Sequence, residues 1–326
     1  MVKTQSSKLK TQNSFAKKSL GQNFLIDESI VTQITAELDP QPNETIVEIG
    51  AGRGALTRYL VESGARVCAV ELDRDLIPIL RNEFADCENF QIIEADALQI
   101  DFCRAFAKPE IQDQKSINQK LARGQGRNEP VATALTRAFD AHDLENRSKV
   151  VANLPYYIST AILQRLIEQR RCFSELILML QREVVERIVA APGSSERGFL
   201  SVLIEAYAAT EKLFDVPPTA FRPVPKVWSA VLRLQIKDQD LITDSTEDEQ
   251  LFWQLVSACF AQKRKTILNN LKNMPFELFK VNSSEMEKIL AATQIDAQRR
   301  AETLSLSEWK QLHKSLCDYQ KIATKI

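Results

Sequence analysis

Residues 45–54 read TIVEIGAGRG, an apolar and largely β-branched run that leads into three glycines separated by single residues. The run predicts a buried strand. Its glycines predict a sharp turn at which the backbone approaches a ligand closely, because any Cβ there would collide. The amphipathic segment 55–62 then predicts a helix. Strand, glycine turn and helix in this order indicate the start of an α/β fold.

Strand and helix signals continue to alternate on both sides of this unit. Asp27 can cap a helix whose apolar residues recur at helical spacing as far as Leu38. The strand-like runs are 45–50, 66–72, 90–96, 149–153 and 175–181. We therefore predict a Rossmann-like α/β fold, in which helices cover both faces of a parallel sheet and ligands collect at the carboxyl ends of the strands.

Two changes of pattern divide the chain. Residues 103–148 are rich in Gln, Arg, Asn and Ala and lack a sustained apolar stripe, which predicts a partly helical or disordered insertion. From about residue 242 onward the apolar spacing is helical. We therefore predict a Rossmann-like domain over 1–241 and a small all-helical domain over 242–326.

Composition excludes several classes of protein. With 44% hydrophobic and 26% charged residues, the 326-residue chain can bury a sizeable core. Its longest apolar runs are too short to cross a membrane, and its N-terminal segment lacks the apolar core of a secretory signal. No coiled-coil pattern or obvious oligomer seam appears, so we expect a monomer, and the cysteine usage leads us to expect a cytoplasmic protein.

Cysteine, histidine and charge give weaker signals. The six cysteines form no CxxC pair, which fits a reducing compartment and argues against a disulfide framework or a zinc site. His142 and His313 stand in no motif, so we predict no metal. The net charge is −1, and basic residues cluster near the N-terminus and at 263–272. A solvated surface explains such clusters better, on charge alone, than a nucleic-acid interface does.

Acidic residues accompany the glycine turn and the next two strands. Glu48 precedes Gly50 and Gly52, where an acid would oppose a pyrophosphate and would suit a cationic or amino-acid-bearing ligand. Glu71 ends the second strand, where a carboxylate can accept both ribose hydroxyls. Asp96 ends the third strand and can accept from an adenine amino group. Each residue alone is more often a turn residue, but together they predict an adenosine ligand without phosphates, for which S-adenosylmethionine is the candidate.

Asn153, Leu154, Pro155 and Tyr156 follow the fourth strand and can frame an adenine base. The lone pair of an exocyclic adenine nitrogen is delocalised into the ring, so two acceptors beside its N–H groups would favour methylation. The Asn153 side-chain oxygen and the Leu154 carbonyl can form that pair, Pro155 stiffens the turn, and Tyr156 offers a ring for stacking. A turn with a buried tyrosine would explain the motif alone, but after an adenosine site the catalytic interpretation is favoured.

The segment FRPVPKV (221–227) places two prolines between an aromatic and a basic residue. Phe221 can cover the other face of a flipped base, with Arg222 and Lys226 near phosphates. A proline-bounded strand edge is an equally good interpretation of these residues.

Taken together, these stretches resemble the ribosomal RNA adenine dimethyltransferases. The segments that carry the resemblance are KKSLGQNFL (17–25), VEIGAGRGALT (47–57), AVELDRDL (69–76), EADAL (94–98), NLPYYIST (153–160), MLQREVVERI (179–188), FRPVPKVWSAV (221–231), QKRKTILNNLK (262–272) and RRAETLSLSEW (299–309). The resemblance implies two methyl transfers to each of two adjacent adenines near the 3′ end of small-subunit RNA, on an immature small ribosomal subunit.

The resemblance also implies roles for particular residues. Those expected to contact S-adenosylmethionine are Asn23, Leu25, Gly50, Glu71, Asp96 and Asn153. Those expected to frame the target adenine are Asn153, Leu154 and Tyr156, with Phe221 nearby.

Two other branches of the superfamily are alternatives. Antibiotic-resistance relatives methylate large-subunit RNA and more usually carry Ile in place of Leu154, and mitochondrial transcription-factor relatives act mainly as non-enzymatic binding proteins. The intact motif set favours the small-subunit enzyme over both. The long insertion at 103–148 and the absence of overall basic charge depart from the family's pattern.

Overall fold

The computed structural model describes residues 16–17, 20–106, 147–238, 242–243, 245–279 and 281–323. Its strands are β1 (Phe24–Leu25), β2 (Thr45–Ile49), β3 (Arg66–Glu71), β4 (Phe90–Glu94), β5 (Ser148–Asn153), β6 (Phe173–Gln181), β7 (Ala208–Val216), β8 (Phe221–Arg222) and β9 (Ser229–Ile236). Its helices are α1 (Glu28–Leu38), α2 (Ala55–Glu62), α3 (Ile77–Glu83), α4 (Phe102–Phe106), α5 (Ser159–Glu168), α6 (Arg182–Ile188), α7 (Phe199–Tyr207), α8 (Thr246–Phe260), α9 (Ile267–Lys272), α10 (Phe276–Phe279), α11 (Ser283–Ala292) and α12 (Leu306–Ala323). The strands expected from the sequence are all present, with small differences at their ends.

One sheet joins these strands in the order β4-β3-β2-β5-β6-β9-β7. The strands from β4 to β6 are parallel. The strands β2, β3 and β5 are buried along most of their length, as in a sheet covered on both faces. The chain runs outward from β2 to β4 and then returns to β5 on the other side of β2. The sheet therefore has its switch point between β2 and β5, where ligands bind beyond the carboxyl ends of the strands.

The far side of the sheet differs from the parallel arrangement that the sequence predicted. The strand β9 is antiparallel to β6 and places Leu232 opposite Leu178, and β7 is antiparallel to β9. Antiparallel neighbours need no crossover helix, so the alternation of strands and helices did not indicate them. The Rossmann-like prediction is confirmed for the parallel strands, and two antiparallel strands extend the sheet.

Helices α8 to α12 follow β9, and the described residues after Ile236 contain no strand. One apolar cluster nevertheless continues from Leu234 in β9 into Leu255 of α8 and Trp309 of α12. The division into domains at 241 and 242 therefore stays a prediction. Within the described ranges, no helix combines the length and the apolar character needed to cross a bilayer.

Cys103 and Cys172 form a disulfide, which the cysteine pattern argued against. Their Cα atoms lie 5.1 Å apart. The side chain of Gln169 accepts a hydrogen bond from the Phe102 amide at 2.7 Å, which holds the start of α4 against the turn 170–172. The two cysteines are separated by 69 residues across the predicted insertion, so their spacing carried no signal. Most of that insertion, 107–146, lies outside the described residues.

Candidate active site

The glycine turn after β2 lies at the switch point of the sheet. Gly50 and Gly52 have φ angles of 72° and 60°, in the left-handed region that favours glycine. A Cβ on Gly50 would find its nearest protein atom, the carbonyl oxygen of Asn153, 4.0 Å away, so a side chain there would project into open space. A Cβ on Gly52 would stand 3.3 Å from the ring of Phe24. The glycines therefore keep open a space that side chains would fill.

That space belongs to an open cavity beside the ends of β2, β3 and β5. Of the site residues predicted from the sequence, those that line it are Asn23, Gly50, Gly52, Glu71, Asp96, Asn153, Leu154, Pro155 and Tyr156. Those that do not line it are Leu25, Glu48 and Phe221.

Glu71, the last residue of β3, holds the glycine turn in place. One carboxylate oxygen accepts from the amide of Gly52 at 3.0 Å, and the other accepts from the amides of Leu72 and Asp73 at 2.9 Å each. Burial raises the pKa of Glu71 above its ordinary value, although these hydrogen bonds act in the opposite direction. The carboxylate is thus oriented at the cavity wall and keeps lone pairs for further donors.

Asp96 lies in the turn that follows β4, two residues beyond the end of the strand. The predicted strand ran to Asp96 itself, whereas the observed strand ends at Glu94. One Asp96 oxygen accepts from the amide of Leu98 at 2.9 Å, and the other accepts from the side chain of Gln99 at 3.3 Å. Asp96 is therefore positioned by its own turn and not by the sheet.

Glu48 does not face the cavity, and the structure gives it a different role from the one predicted. Its carboxylate accepts a hydrogen bond from the hydroxyl of Thr57 at 2.6 Å, and its side chain is buried against α2. Burial raises the pKa of Glu48 from 4.5 to about 7; the Thr57 bond opposes this rise and the nearby Glu71 adds to it. The contacts of Glu48 tie the end of β2 to α2 below the glycine turn.

Asn153 and Leu154 bring two oxygen acceptors to the cavity. The amide nitrogen of Asn153 donates to the main-chain carbonyl of Asn23 at 3.0 Å, which leaves the side-chain oxygen to accept from a ligand. The amide of Leu154 donates to the carbonyl of Met179 at 3.1 Å. In the part of the chain that the structure describes, no donor bonds to the Leu154 carbonyl oxygen. The two acceptors come from adjacent residues of a turn that is anchored on both sides.

The two tyrosines after this turn differ in their surroundings. The hydroxyl of Tyr156 forms a hydrogen bond of 2.7 Å with the buried hydroxyl of Ser229, and burial raises the pKa of Tyr156. Tyr157 is 59% exposed and packs across Gly21, where a Cβ would stand 2.7 Å from its ring. Tyr156 therefore has a fixed ring at the cavity wall, while Tyr157 lies at the mouth against the N-terminal segment.

The burial of Phe221 corrects the prediction that its ring covers a base. Its side chain has no exposed surface and packs in an apolar cluster with Val216 and Ala220. The strand β8 pairs with β1 and places Phe221 opposite Leu25, which is also buried. The strand-edge interpretation of this segment agrees with the structure, because Phe221 belongs to the two-residue strand β8 and both side chains are buried in one apolar cluster.

A charged network that fixes the N-terminal segment was missed from the sequence. The ammonium group of Lys17 pairs with Asp73 at 2.5 Å and with Asp75 at 2.7 Å, and the side chain of Gln22 donates to Asp73 at 2.7 Å. Burial would raise the pKa of Asp73, but the hydrogen bonds from Lys17, the Asp75 amide and Gln22 outweigh it and lower that pKa. These residues stand in two of the quoted motifs, yet nothing in their spacing shows that the motifs meet.

The cavity also has an apolar wall, whose residues stand in the quoted motifs but were not predicted as site residues. Its side chains come from the ends of β2 and β3 and from the turns that follow β3 and β4, and they are Ile49, Val70, Leu72, Leu76, Ala95 and Ala97. Such a wall beside a few oriented polar groups is typical of small-molecule sites and suits a flat heteroaromatic ring.

Comparison with known proteins identifies the family. The family described as "Ribosomal RNA adenine dimethylase" matches residues 13–312. The "Ribosomal RNA small subunit methyltransferase A" of Lactococcus lactis is 37% identical over 305 residues, which cover 94% of this chain and 91% of the relative. The protein of the same name from Moorella thermoacetica is 38% identical over 300 residues, which cover 92% of each chain.

Solved structures share the fold. A dimethyladenosine transferase from Plasmodium falciparum has a TM-score of 0.67 at 22% identity, covering 89% of this chain and 95% of that one. The 23S rRNA methyltransferase ErmE has a TM-score of 0.60 at 21% identity, covering 90% and 99%. At these identities the likeness supports the fold alone, and the sequence matches carry the assignment. From its matched length and its identity to these relatives, the chain belongs to the ribosomal RNA adenine dimethylase family.

Proposed function

We propose that this chain transfers methyl groups from S-adenosylmethionine to N6 of two adjacent adenines near the 3′ end of small-subunit ribosomal RNA, giving dimethyladenosines. The proposal rests on one cavity that is lined both by the glycine turn with Glu71 and Asp96 and by Asn153 and Tyr156. The choice of RNA is supported by the relatives named as small-subunit methyltransferases.

The residues of the cavity fit S-adenosylmethionine. Glu71 offers a carboxylate to ribose hydroxyls, Asp96 offers one to the adenine amino group, and the apolar wall suits the purine ring. A side chain at Gly50 would occupy the part of the cavity beside Asn153 that the cofactor needs. No lysine or arginine lines the described wall of the cavity, which suits a ligand without phosphates. When bound, S-adenosylmethionine supplies an electrophilic methyl group on its sulfonium.

The turn at Asn153 and Leu154 orients the adenine amine. The Asn153 side-chain oxygen and the Leu154 carbonyl accept its two N–H groups, which draws the nitrogen away from the ring plane and makes its lone pair available. Both acceptors are already anchored, Asn153 through Asn23 and Leu154 through Met179, so little reorganisation is needed when the base arrives. No strong base is required, because the proton can leave to water after transfer.

Dimethylation requires that the same site accept a singly methylated amine. After the first transfer only one N–H remains, so one of the two acceptors loses its donor. Tyr156 then matters more for holding the base, since its ring is fixed by the hydrogen bond to Ser229.

The loop 222–228 is the surface that we assign to flanking RNA. Arg222 and Lys226 are exposed there, and Trp228 is 45% exposed. The guanidinium of Arg182 lies 5.8 Å from the centre of the Trp228 ring. The next residue, Ser229, holds Tyr156, so this surface adjoins the proposed target site. Exposed aromatic and basic side chains together favour stacking on unpaired bases and contacts to phosphates.

We propose further that the enzyme acts as a monomer in the cytoplasm on an immature small subunit and takes part in the biogenesis of that subunit. The sheet domain (1–241) carries the chemistry and the helical domain (242–326) helps to hold the RNA, with exposed basic residues at 263–265.

The test is the transfer of labelled methyl from S-adenosylmethionine onto unmodified small subunits, with naked large-subunit RNA in parallel and mass identification of the nucleosides. Dimethyladenosine from small subunits alone supports the proposal. Label on large-subunit RNA alone would move the chain to the antibiotic-resistance branch. No label from a folded protein that binds the cofactor would favour a non-enzymatic assembly or transcription factor.

A further inference from the structure

Helices α8 and α12 bring three side chains of different chemistry to one point, far from the methyl-transfer cavity in sequence. Asp248 lies in the first turn of α8, which begins after the N-cap residue Ser245. His313 and Cys317 lie in α12 at positions i and i+4, on one face of the helix. The polar atoms of these three residues all lie within 4.8 Å of one another.

The distances within this cluster are those of a tetrahedral zinc site. The Nε2 of His313 lies 3.5 Å from the Oδ1 of Asp248 and 3.5 Å from the Sγ of Cys317, and the Sγ lies 3.6 Å from the same Oδ1. Ordinary zinc–ligand bond lengths and tetrahedral angles place such ligand pairs about 3.3 to 3.6 Å apart. One cation at the centre would therefore meet all three atoms with little movement.

We propose that Asp248, His313 and Cys317 form a binding site for Zn²⁺ or a similar transition-metal cation, with water at the fourth position. A thiolate, an imidazole and a carboxylate together select a borderline-soft cation such as zinc over magnesium or calcium. The thiol proton of Cys317 passes to solvent when the cation binds. The side chain of Asp248 is 31% exposed, which leaves a path for the cation and for the water.

The geometry argues against a catalytic triad of the same residues. In a triad, the two ring nitrogens of the histidine face the nucleophile and the acid separately. Here the same Nε2 is 3.5 Å from both Cys317 and Asp248, so the three atoms converge on a point. The rings of Phe252 and Phe279 pack against His313 and keep its orientation.

A cation in this position would join the beginning of α8 to the last helix of the chain. Because the unfolded chain does not hold the three ligands together, binding would stabilise the fold. The cysteine and histidine patterns predicted no metal, since Asp248 and His313 are far apart in sequence and only the packing of α8 on α12 brings them together.

The experiment is a titration of the full, chelator-stripped chain with Co²⁺, in the absence of oxygen and of thiol reductants so that the Cys103–Cys172 disulfide stays intact, followed by displacement with Zn²⁺. Tetrahedral cobalt with a thiolate ligand gives visible ligand-field bands and a near-ultraviolet charge-transfer band. We expect one Co²⁺ per chain with both signatures, displaced by Zn²⁺, and a melting temperature that Zn²⁺ raises. In Cys317→Ser the charge-transfer band should vanish, and in Asp248→Asn affinity should fall by at least about tenfold.

The matched control is Cys87→Ser, a half-buried cysteine outside this cluster, which should bind as the wild-type chain does. Circular dichroism establishes that each variant is folded before titration. A wild-type chain that gives no tetrahedral bands, or a charge-transfer band that persists in Cys317→Ser, would overturn the proposal and leave a hydrogen-bonded cluster only. None of these readouts depends on methyl transfer.

Discussion

The side-chain amide of Asn153 donates a hydrogen bond of 3.0 Å to the main-chain carbonyl of Asn23, 130 residues earlier in the chain. This bond joins the turn after β5 to the N-terminal segment, which is held from its other end by Lys17 and Gln22 on Asp73. The donor end of the Asn153 amide is thereby occupied, and its acceptor end remains for the substrate.

Replacing Asn153 by alanine should remove that acceptor. We expect Asn153→Ala to lower kcat/KM for methyl transfer by at least about 100-fold, the loss typical of removing one oriented polar group from a catalytic site. Labelled methyl transfer measures this, and thermal melting establishes that the variant is folded. Asn269→Ala on the exposed surface of α9 serves as the control. Full activity in Asn153→Ala would rule out the proposed acceptor pair.

Removing the carboxylate of Glu71 should weaken cofactor binding. Glu71 accepts from the Gly52 amide and is proposed to accept from the ribose, so Glu71→Ala loses hydrogen bonds to a charged group. We expect the Kd for S-adenosylmethionine, measured by calorimetry, to rise by about 10- to 100-fold. The control is Glu94→Ala at the exposed end of β4. Equal losses in both variants would contradict a specific role for Glu71.

Stability should depend on pH through Glu48. Its pKa in the folded protein is about 7, above the ordinary 4.5, so the protonated form favours folding, and that contribution is lost as pH rises through about 7. Glu48→Gln stays neutral and can still accept from Thr57. We expect the free energy of unfolding of Glu48→Gln to exceed that of the wild type by an amount that grows as pH rises from 4.5 to 7. The difference should reach about 3 kcal/mol at most.

Chemical denaturation at a series of pH values measures that difference. Because Glu48 does not line the cavity, the Kd for S-adenosylmethionine should change little in Glu48→Gln. Parallel stability curves for the two proteins would show that Glu48 is not strained by burial, and a large loss of cofactor affinity would restore the binding role predicted from the sequence.

The ring and the hydroxyl of Tyr156 should have separable effects. Tyr156→Phe keeps the ring but leaves the buried hydroxyl of Ser229 without this partner, so we expect a loss of about 1–3 kcal/mol in stability and nearly full activity. Tyr156→Ala also removes the stacking surface and should lower kcat/KM by about 5- to 100-fold. Melting curves and methyl-transfer rates distinguish the two, and equal activities would argue against stacking.

Trp228 should affect RNA binding without affecting the chemical step. Its exposed ring, with Arg182 beside it, is proposed to stack on a flanking base. We expect Trp228→Ala to raise KM for the small subunit by about 5- to 100-fold at unchanged kcat, and Trp228→Phe to retain most of the affinity. A fall in kcat at constant KM would place the residue in the chemical step instead.

The sheet and the cofactor cavity were predictable because their signals are local. A buried parallel strand must be a continuous apolar run, and the turn at Gly50 and Gly52 needs φ angles that other residues rarely adopt. The antiparallel pairing of β9 and β7 was not predictable in this way, since it depends on which distant strand β9 meets.

The chain alone was therefore enough for the α/β class, the positions of Glu71 and Asn153 at strand ends, and the family resemblance. Only the tertiary structure decided which acids face the cavity and whether Phe221 is exposed. Glu48 and Glu71 both end or nearly end a strand, but α2 covers one and the cavity receives the other. Whether a side chain at a strand end faces a ligand cavity or the protein interior depends on the element packed against it. Contacts between residues distant in sequence bring that element into place.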